Sequence, residues 1–203
     1  HTITFEPSAL WTWPAGLGLA NVSPRVVPAA SDAGMVLAYA PALDIRADTI
    51  GTASDIPLVL YVEDDRRAGR GWIRYSVIIS HEDGGTPAPA LMARWGRTTD
   101  IELVYEVELD GTRLVQDRFQ GPDHEIRAFG GRRDGQRPVL LIATLNNMFI
   151  DRGRSLANVR MVPRPVNLDR RTRESVMDEN PWIYPLMARE LVDSAWTLSG
   201  TQK

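Results

Sequence analysis

The residues with the clearest chemical potential are two carboxylates at the start of one predicted strand. Asp100 and Glu102 stand two positions apart in a segment whose apolar and polar residues alternate from 100 to 109. Side chains two apart on a strand leave the same face, about 7 Å apart. That spacing suits two oxygen ligands of Ca²⁺ or Mg²⁺, and it is near the separation of the carboxyl pairs of glycosidases. The alternative is a solvated strand face, which Glu106 and Glu108 continue.

Two histidines flanked by carboxylates form the second group of candidates. His81 follows a predicted strand in a His-Glu-Asp tripeptide, and His124 precedes another in an Asp-His-Glu tripeptide. A neighbouring carboxylate raises the basicity of an imidazole and fixes its tautomer, so each histidine is a candidate general base or metal ligand. Asp123 is a candidate third metal ligand beside the carboxylate pair. The alternative for both histidines is an ordinary surface position in a polar turn.

A third group has the side chains to hold a ligand. Asn146 and Asn147 end a predicted buried strand, where side chains are held by the sheet yet reach solvent. Arg94 and Trp95 place a guanidinium beside an aromatic ring, a pair that can grip a sugar. Arg97 is a further candidate ligand-binding residue. The alternatives are a simple asparagine turn and a core tryptophan.

Hydrophobic patterning predicts the elements that position these residues. Strands are predicted at 56–62, 72–80, 100–109, 112–119, 124–129, 138–144 and 158–162. The alternation in the third strand predicts one buried face, opposite the two acids: Ile101, Leu103, Tyr105, Val107 and Leu109. Helical spacing over 184–195 predicts a helix that docks on the sheet. The fold class is therefore all-β, a β-sandwich or jelly-roll-like meander with a C-terminal α-helix.

Length and composition set the organisation and exclude several classes of function. The 203 residues fit a single β-rich domain with an irregular arm at 1–35, a β core at 36–162, and a linker and helix at 163–203. A short strand is predicted at 2–5 in the arm. The formal charge of −3 argues against nucleic-acid binding. No apolar run approaches the roughly 18–20 residues of a transmembrane helix. The absence of cysteine excludes disulfides and thiolate catalysis.

Cofactor and location follow from smaller signals. No phosphate loop and no dinucleotide-binding pattern is present, so no nucleotide cofactor is expected. The sequence starts at His1 rather than at a methionine, which is expected of a removed signal peptide or of an expression fragment. We expect a secreted or periplasmic protein, with a cytoplasmic location as the open alternative. The sequence gives no signal for the oligomeric state.

The segment from Gly96 to Glu102 resembles a known motif. It is similar to the Gly-His-Arg-His-Asp-Trp-Glu heptad of the necrosis-inducing (Nep1-like) family and to a related Asp-Trp-Glu strand of vacuolar-sorting proteins. The heptad's histidines and tryptophan are replaced by Arg97, Thr99 and Ile101. The resemblance covers about residues 37–150. It implies a β-sandwich that holds a divalent cation on the acidic motif and binds sugar head groups of membrane lipids.

Together these patterns predict a carbohydrate-active β-sandwich with a glycan or other sugar-bearing ligand. As a cation-assisted hydrolase or lyase, Asp100 and Glu102 would hold the cation or act as the acid/base pair, and His81 or His124 would move protons. The first alternative is a non-catalytic binder of glycans or lipid head groups, and the second is a structural domain of a larger protein. We expect His81, His124, the acidic pair and Asn146 to converge on one depression.

Overall fold

The structure is a computed structural model that describes residues 27–46, 56–83, 85–155 and 157–200, with backbone alone for 194–200. The predicted strand at 2–5 lies outside these residues. The fold class predicted from the sequence is confirmed, since most elements are strands arranged in two sheets and a helix ends the described chain. Within the described residues, no helix has both the length and the apolar character needed to cross a bilayer.

The strands and helices are numbered in chain order. The strands are β1 (Ala42–Ile45), β2 (Pro57–Asp64), β3 (Arg70–Ile79), β4 (Asp100–Asp110), β5 (Arg113–Gln120), β6 (Ile126–Ala128), β7 (Arg133–Asp134), β8 (Arg137–Ile142), β9 (Phe149–Ile150), β10 (Ala157–Arg160) and β11 (Arg164–Pro165). The helices are α1 (Asp32–Tyr39), α2 (Ala88–Trp95), α3 (Ser175–Asp178) and α4 (Ile183–Gly200).

Two mixed sheets face each other across the main core. The larger sheet has the order β11-β2-β3-β4-β5-β6, and the smaller has the order β10-β1-β8-β7 with β9 paired to β8. The predicted hairpin is present, because β4 and β5 pair antiparallel and Gly111 takes a positive φ of 62° in the turn between them. Apolar residues from both sheets and from α1 fill the space between the sheets. From β3, this core contains Ile73, Tyr75, Val77 and Ile79.

The prediction of one continuous buried face along β4 is wrong. Tyr105 pairs with Tyr75 but Leu103 pairs with Ser76, so Val104 is left without a partner. Such a bulge adds one residue to a strand, which reverses the in-and-out alternation beyond it. Ile101 therefore packs on the outer side of the sheet, against α3 and α4, whereas Tyr105 packs between the sheets. The acids at the start of β4 are buried rather than solvated.

The helices follow local signals that the strand patterns hide. Ser31 caps α1 by accepting a hydrogen bond from the Gly34 N–H at 3.1 Å. This helix lies across the predicted boundary at residue 35, where no helix was predicted. Proline in the first turn begins α2, in a segment for which no helix was predicted. The predicted linker from residue 163 contains β11 and α3. The predicted C-terminal helix is confirmed as α4, whose Ile183 and Met187 pack on the outer face of the larger sheet.

Candidate functional site

A polar cleft of about 400 Å³ opens where β3 ends, β4 begins and β5 ends. These three strand ends meet because the strands are antiparallel neighbours, and Ile79 pairs with Asp100. The cleft is lined by Glu82, Asp83, Thr86, Leu91, Arg94, Trp95, Arg97, Ile101, Glu102, Gln120, His124, Asn146 and Arg173. We refer to this set as the polar cleft.

The structure brings six of the predicted site residues into the polar cleft. They are Arg94, Trp95, Arg97, Glu102, His124 and Asn146. His81, Asp100 and Asn147 lie behind its wall, and Asn147 connects the other two. The Asn147 Nδ2 donates hydrogen bonds of 2.8 Å to the Asp100 Oδ2 and to the backbone carbonyl of His81. Asp123 is exposed and does not line the cleft.

The carboxyl pair beneath the cleft is electrostatically unfavourable. Burial, together with the carboxylates of Glu102 and Glu82, raises the pKa of Asp100 to about 9. Burial also raises the pKa of Glu102, against the lowering effect of a hydrogen bond from Gln120. Close carboxylates out of water disfavour joint ionisation. At neutral pH the Asp100–Glu102 pair therefore either keeps one proton or binds another positively charged group in place of that proton.

Gln120 is a site residue that the sequence pattern did not reveal. It ends β5, and its Nε2 donates to the Glu102 Oε2 and lies 3.1 Å from the His124 Nδ1. A glutamine in a predicted strand gives no sign that it bridges two candidate residues. The signal that could have indicated it is its position at the strand end, next to the turn that carries His124.

The wall opposite Gln120 is fixed by Arg97. Its Nη1 donates to the Glu82 Oε2 and to the backbone carbonyl of Thr99. Asp83 accepts hydrogen bonds from the Gly85 N–H at 2.9 Å and from the Thr86 hydroxyl at 2.9 Å, and these bonds lower the pKa of Asp83. This wall therefore holds the carboxyl groups of Glu82 and Asp83 in fixed positions.

An aromatic ring lies at the rim of the cleft. Trp95 ends α2 and is 47% exposed, so it is not the core tryptophan of the alternative prediction. The guanidinium of Arg94 lies 4.8 Å from the centroid of the Trp95 ring. Arg173 contributes a second cation from the segment before α3, and it donates to the Ile101 carbonyl at 3.0 Å.

His81 has a different environment from His124. Its side chain is 9% exposed, and its Nδ1 forms an ion pair with the Glu190 carboxylate of α4. The predicted single depression thus contains Glu102, His124 and Asn146, while His81 joins the cleft wall to the C-terminal helix. His124 is 57% exposed, and its Nδ1 is 3.8 Å from the Glu102 Oε2.

The donor atoms near the acid pair include one unsatisfied oxygen. The Asn147 Oδ1 is buried and has no hydrogen-bond partner among the described residues. Across 27–46, 56–83, 85–155 and 157–200, no group of three or more histidine or acidic side chains has an arrangement that could hold a metal ion. Asp100, Glu102 and the Asn147 Oδ1 carry oxygen atoms of the kind that a hard cation binds, and it is the Asn147 Nδ2 that faces the Asp100 carboxyl group.

A second cavity, of about 640 Å³, is apolar. It lies between α1 and the segment around β11, and its walls include Val36, Val62 and Val162. We refer to it as the apolar groove. It contains none of the candidate site residues.

Comparisons with known proteins give a distant structural likeness. No protein-family model and no curated protein matches the chain. The chain is similar to NLPPya in complex with glucosamine at 14% identity, over 72% of this chain and 78% of that one, with a TM-score of 0.43. It is similar to NLPPya in complex with mannosamine at 14% identity, over 77% and 83%, with a TM-score of 0.42. NLPPya is a Nep1-like protein, so the distant resemblance is confirmed. At these TM-scores the likeness carries no argument about function.

Proposed function

We propose that the polar cleft binds carbohydrate and that Glu102 favours a sugar with an amino group. The observation that carries the proposal is the exposed Trp95 ring at the rim of a cleft lined by carboxylate, amide, imidazole and guanidinium groups. Sugars present an apolar ring face beside several hydroxyl groups. An aromatic ring with converging donors and acceptors is complementary to both parts.

The size of the cleft supports a small ligand. A volume of about 400 Å³ lies at the lower end of the range typical of small-molecule sites. The lining is predominantly polar, and three of its polar groups are held by the fold: Arg97 by the Thr99 carbonyl, Arg173 by the Ile101 carbonyl, and Glu102 by Gln120. Groups held in this way lose little freedom on binding, which favours affinity for a ligand of a few hydroxyl groups.

The charge of the cleft favours a sugar that carries an amino group. Glu82 is paired with Arg97, but no guanidinium among the described residues forms an ion pair with Glu102. Burial raises the pKa of Glu102 in spite of the opposing effects of Gln120, His124 and Arg173, so its carboxylate is only partly compensated. An ammonium group on the sugar would supply this compensation directly.

A divalent cation is a second way to compensate the same pair. We propose that Ca²⁺ or Mg²⁺ can be held by Asp100, Glu102 and the otherwise unbonded Asn147 Oδ1. When bound, such a cation supplies positive charge to a sugar oxygen. The test is a thermal-shift titration with each chloride salt, followed by EDTA. A rise in Tm that EDTA reverses supports the cation, and an unchanged Tm contradicts it.

Isothermal titration calorimetry with three probes tests the sugar proposal. The probes are glucosamine, glucose and glucuronic acid, which share a ring size but differ in charge at neutral pH. We expect the affinity to be highest for glucosamine. The Glu102→Gln variant, which keeps the side-chain length, should lower the affinity for glucosamine about tenfold, equivalent to about 1.4 kcal/mol, and bring it near that for glucose. Absence of heat with all three probes would contradict the proposal.

Glycan cleavage as a hydrolase or lyase is a second candidate function. The observation that favours it is the raised pKa of Glu102, which lies in the cleft 3.8 Å from the imidazole of His124. A carboxyl group with a raised pKa beside a histidine is a usable acid/base pair. Release of reducing ends from chitosan by the wild type, abolished in Glu102→Gln, would support cleavage. Binding without release would assign the cleft to recognition alone.

We propose a secreted or periplasmic location, where such glycans and the head groups of glycolipids are accessible. The test is cell fractionation of the native producer with an antibody against the chain. Recovery in the cytoplasmic fraction would contradict the location and leave the binding proposal intact.

A further inference from the structure

Backbone strain is concentrated beside the polar cleft. Among the described residues, four that are not glycine have a positive φ: Ala68 (50°), Asp123 (63°), His124 (61°) and Asn147 (52°). His124 lines the cleft, Asn147 lies behind its wall and Asp123 directly precedes His124, whereas Ala68 lies in the distant turn between β2 and β3. Left-handed conformations are unfavourable for residues with a Cβ, and they persist where the surroundings hold them.

Two consecutive strained residues form the turn that carries His124. The turn Pro122–His124 connects β5 to β6, and Gly121 donates its N–H to the Glu125 carbonyl at 2.8 Å across it. Aspartate and histidine are among the residues other than glycine that adopt this conformation most readily, and the two consecutive positive φ values set the direction in which the His124 side chain leaves the turn. A relaxed turn would carry the His124 ring to another position.

Gln120 holds the ring from the other side. The amide nitrogen of glutamine can only donate, so the His124 Nδ1 at 3.1 Å must accept. The second hydrogen of the same nitrogen is donated to the Glu102 Oε2. The reverse orientation of the amide would place its oxygen against the Glu102 carboxylate, which is unfavourable. With Nδ1 accepting, the ring proton of neutral His124 is on Nε2.

We propose that Gln120 is a positioning residue, and that Gln120 and the strained turn together present the His124 Nε2–H to the ligand as a specificity-determining hydrogen-bond donor. This proposal rests on the proposed carbohydrate function of the polar cleft. A donor fixed in one tautomer selects ligands with an acceptor oxygen at that position.

The first test measures the tautomer of the His124 imidazole in the absence of ligand. The chain has three histidines, so long-range ¹H–¹⁵N spectra of the protein at about pH 8 can be assigned with His124→Ala and His81→Asn variants. We expect the wild-type His124 to show one tautomer, protonated on Nε2. In Gln120→Met, which keeps the length of the side chain and removes the donor, the tautomer ratio should move toward that of free imidazole. An unchanged His124 spectrum would overturn the positioning role of Gln120.

The second test measures the affinity for glucosamine and uses matched glycine variants. Asp123→Gly widens the range of backbone conformations open to the exposed turn, because glycine adopts both signs of φ, and Ala68→Gly makes the same change in a turn remote from the cleft. We expect glucosamine affinity to fall about tenfold in Gln120→Met and about threefold in Asp123→Gly, with no change in Ala68→Gly. Equal affinities in wild type and Asp123→Gly would overturn the role of the turn.

The two tests separate this proposal from the one on which it rests. If the wild type binds no glucosamine, the proposed amino-sugar function fails, and the His124 spectra still decide whether Gln120 holds the ring. If glucosamine binds and Gln120→Met leaves both the spectrum and the affinity unchanged, the positioning proposal fails alone. Because Asp123 is exposed, its variant keeps the test valid even if Gln120→Met does not fold.

Discussion

Replacing the ionisable carboxyl group of Asp100 by an amide should stabilise the protein at neutral and alkaline pH. Asp100 is 1% exposed, and its pKa is raised from 3.8 to about 9 by burial and by the neighbouring carboxylates of Glu102 and Glu82. A carboxyl group whose folded pKa is raised contributes stability that is fully present below its unfolded pKa. That contribution is lost as the pH rises through the folded pKa.

The magnitude follows from the size of the shift. Each pKa unit corresponds to about 1.4 kcal/mol, so the stability contributed by this group falls by at most about 4 kcal/mol between about pH 4 and pH 7. Asp100→Asn removes this dependence. The asparagine oxygen can still accept from the Asn147 Nδ2, and its amide can donate to the Glu102 carboxylate in place of the shared proton.

Urea unfolding in EDTA at several pH values between 5 and 9 measures the effect. We expect the free energy of unfolding of Asp100→Asn, relative to wild type, to increase steadily with pH. Asp44→Asn is a matched control, because Asp44 is equally buried but is held by Arg132 at 3.0 Å and Asn158 at 2.7 Å. The Asp44→Asn variant should have a lower free energy of unfolding than wild type at every pH in this series. A constant difference between Asp100→Asn and wild type would refute the reasoning.

Three further variants give sharp expectations. Trp95→Ala should weaken glucosamine binding at least tenfold in calorimetry, because the ring lies at the rim of the cleft. The Tm of this variant should stay within about a degree of the wild-type value, and a strong fall in Tm would instead indicate a core role. Ala68→Asn should raise the free energy of unfolding by about 1 kcal/mol in urea, because Ala68 has a φ of 50° and asparagine tolerates that region; a loss of stability would contradict the turn geometry. His81→Ala should lower Tm by releasing Glu190 and leave glucosamine affinity within about threefold, whereas a complete loss of binding would place His81 in the cleft.

The parts of the fold that could be predicted are those with a local pattern. Strict alternation identified β3 and β4, and Asp110-Gly111 identified the hairpin, because both signals lie within a few residues. The bulge at Val104 was missed, although Val104 is the one apolar residue in the row of acidic residues at 100, 102, 106 and 108 and so interrupts the alternation at that point. The short α2 carried a signal that was missed, a proline in its first turn.

The candidate site also has a part that could be predicted from the sequence and a part that could not. Glu102 and His124 stand at strand ends, and their meeting in the cleft could be predicted from a meander in which neighbouring ends lie together. The positions of Arg173 and Glu190 could not be predicted, because these residues reach the site from the C-terminal segment through packing that no local pattern encodes. His81 was predicted to face the ligand, and the pairing with Glu190 places it in the wall.

An NMR titration of ¹⁵N-labelled protein with glucosamine tests the central claim most directly, because it shows where the ligand binds. The account predicts shifts that saturate with glucosamine at the indole N–H of Trp95 and at the amides of Glu102, Gln120 and His124, which line the polar cleft. The Glu102→Gln variant should show the same set at higher glucosamine concentrations. An absence of shifts, or shifts confined to the apolar groove around Val36 and Val162, would contradict it.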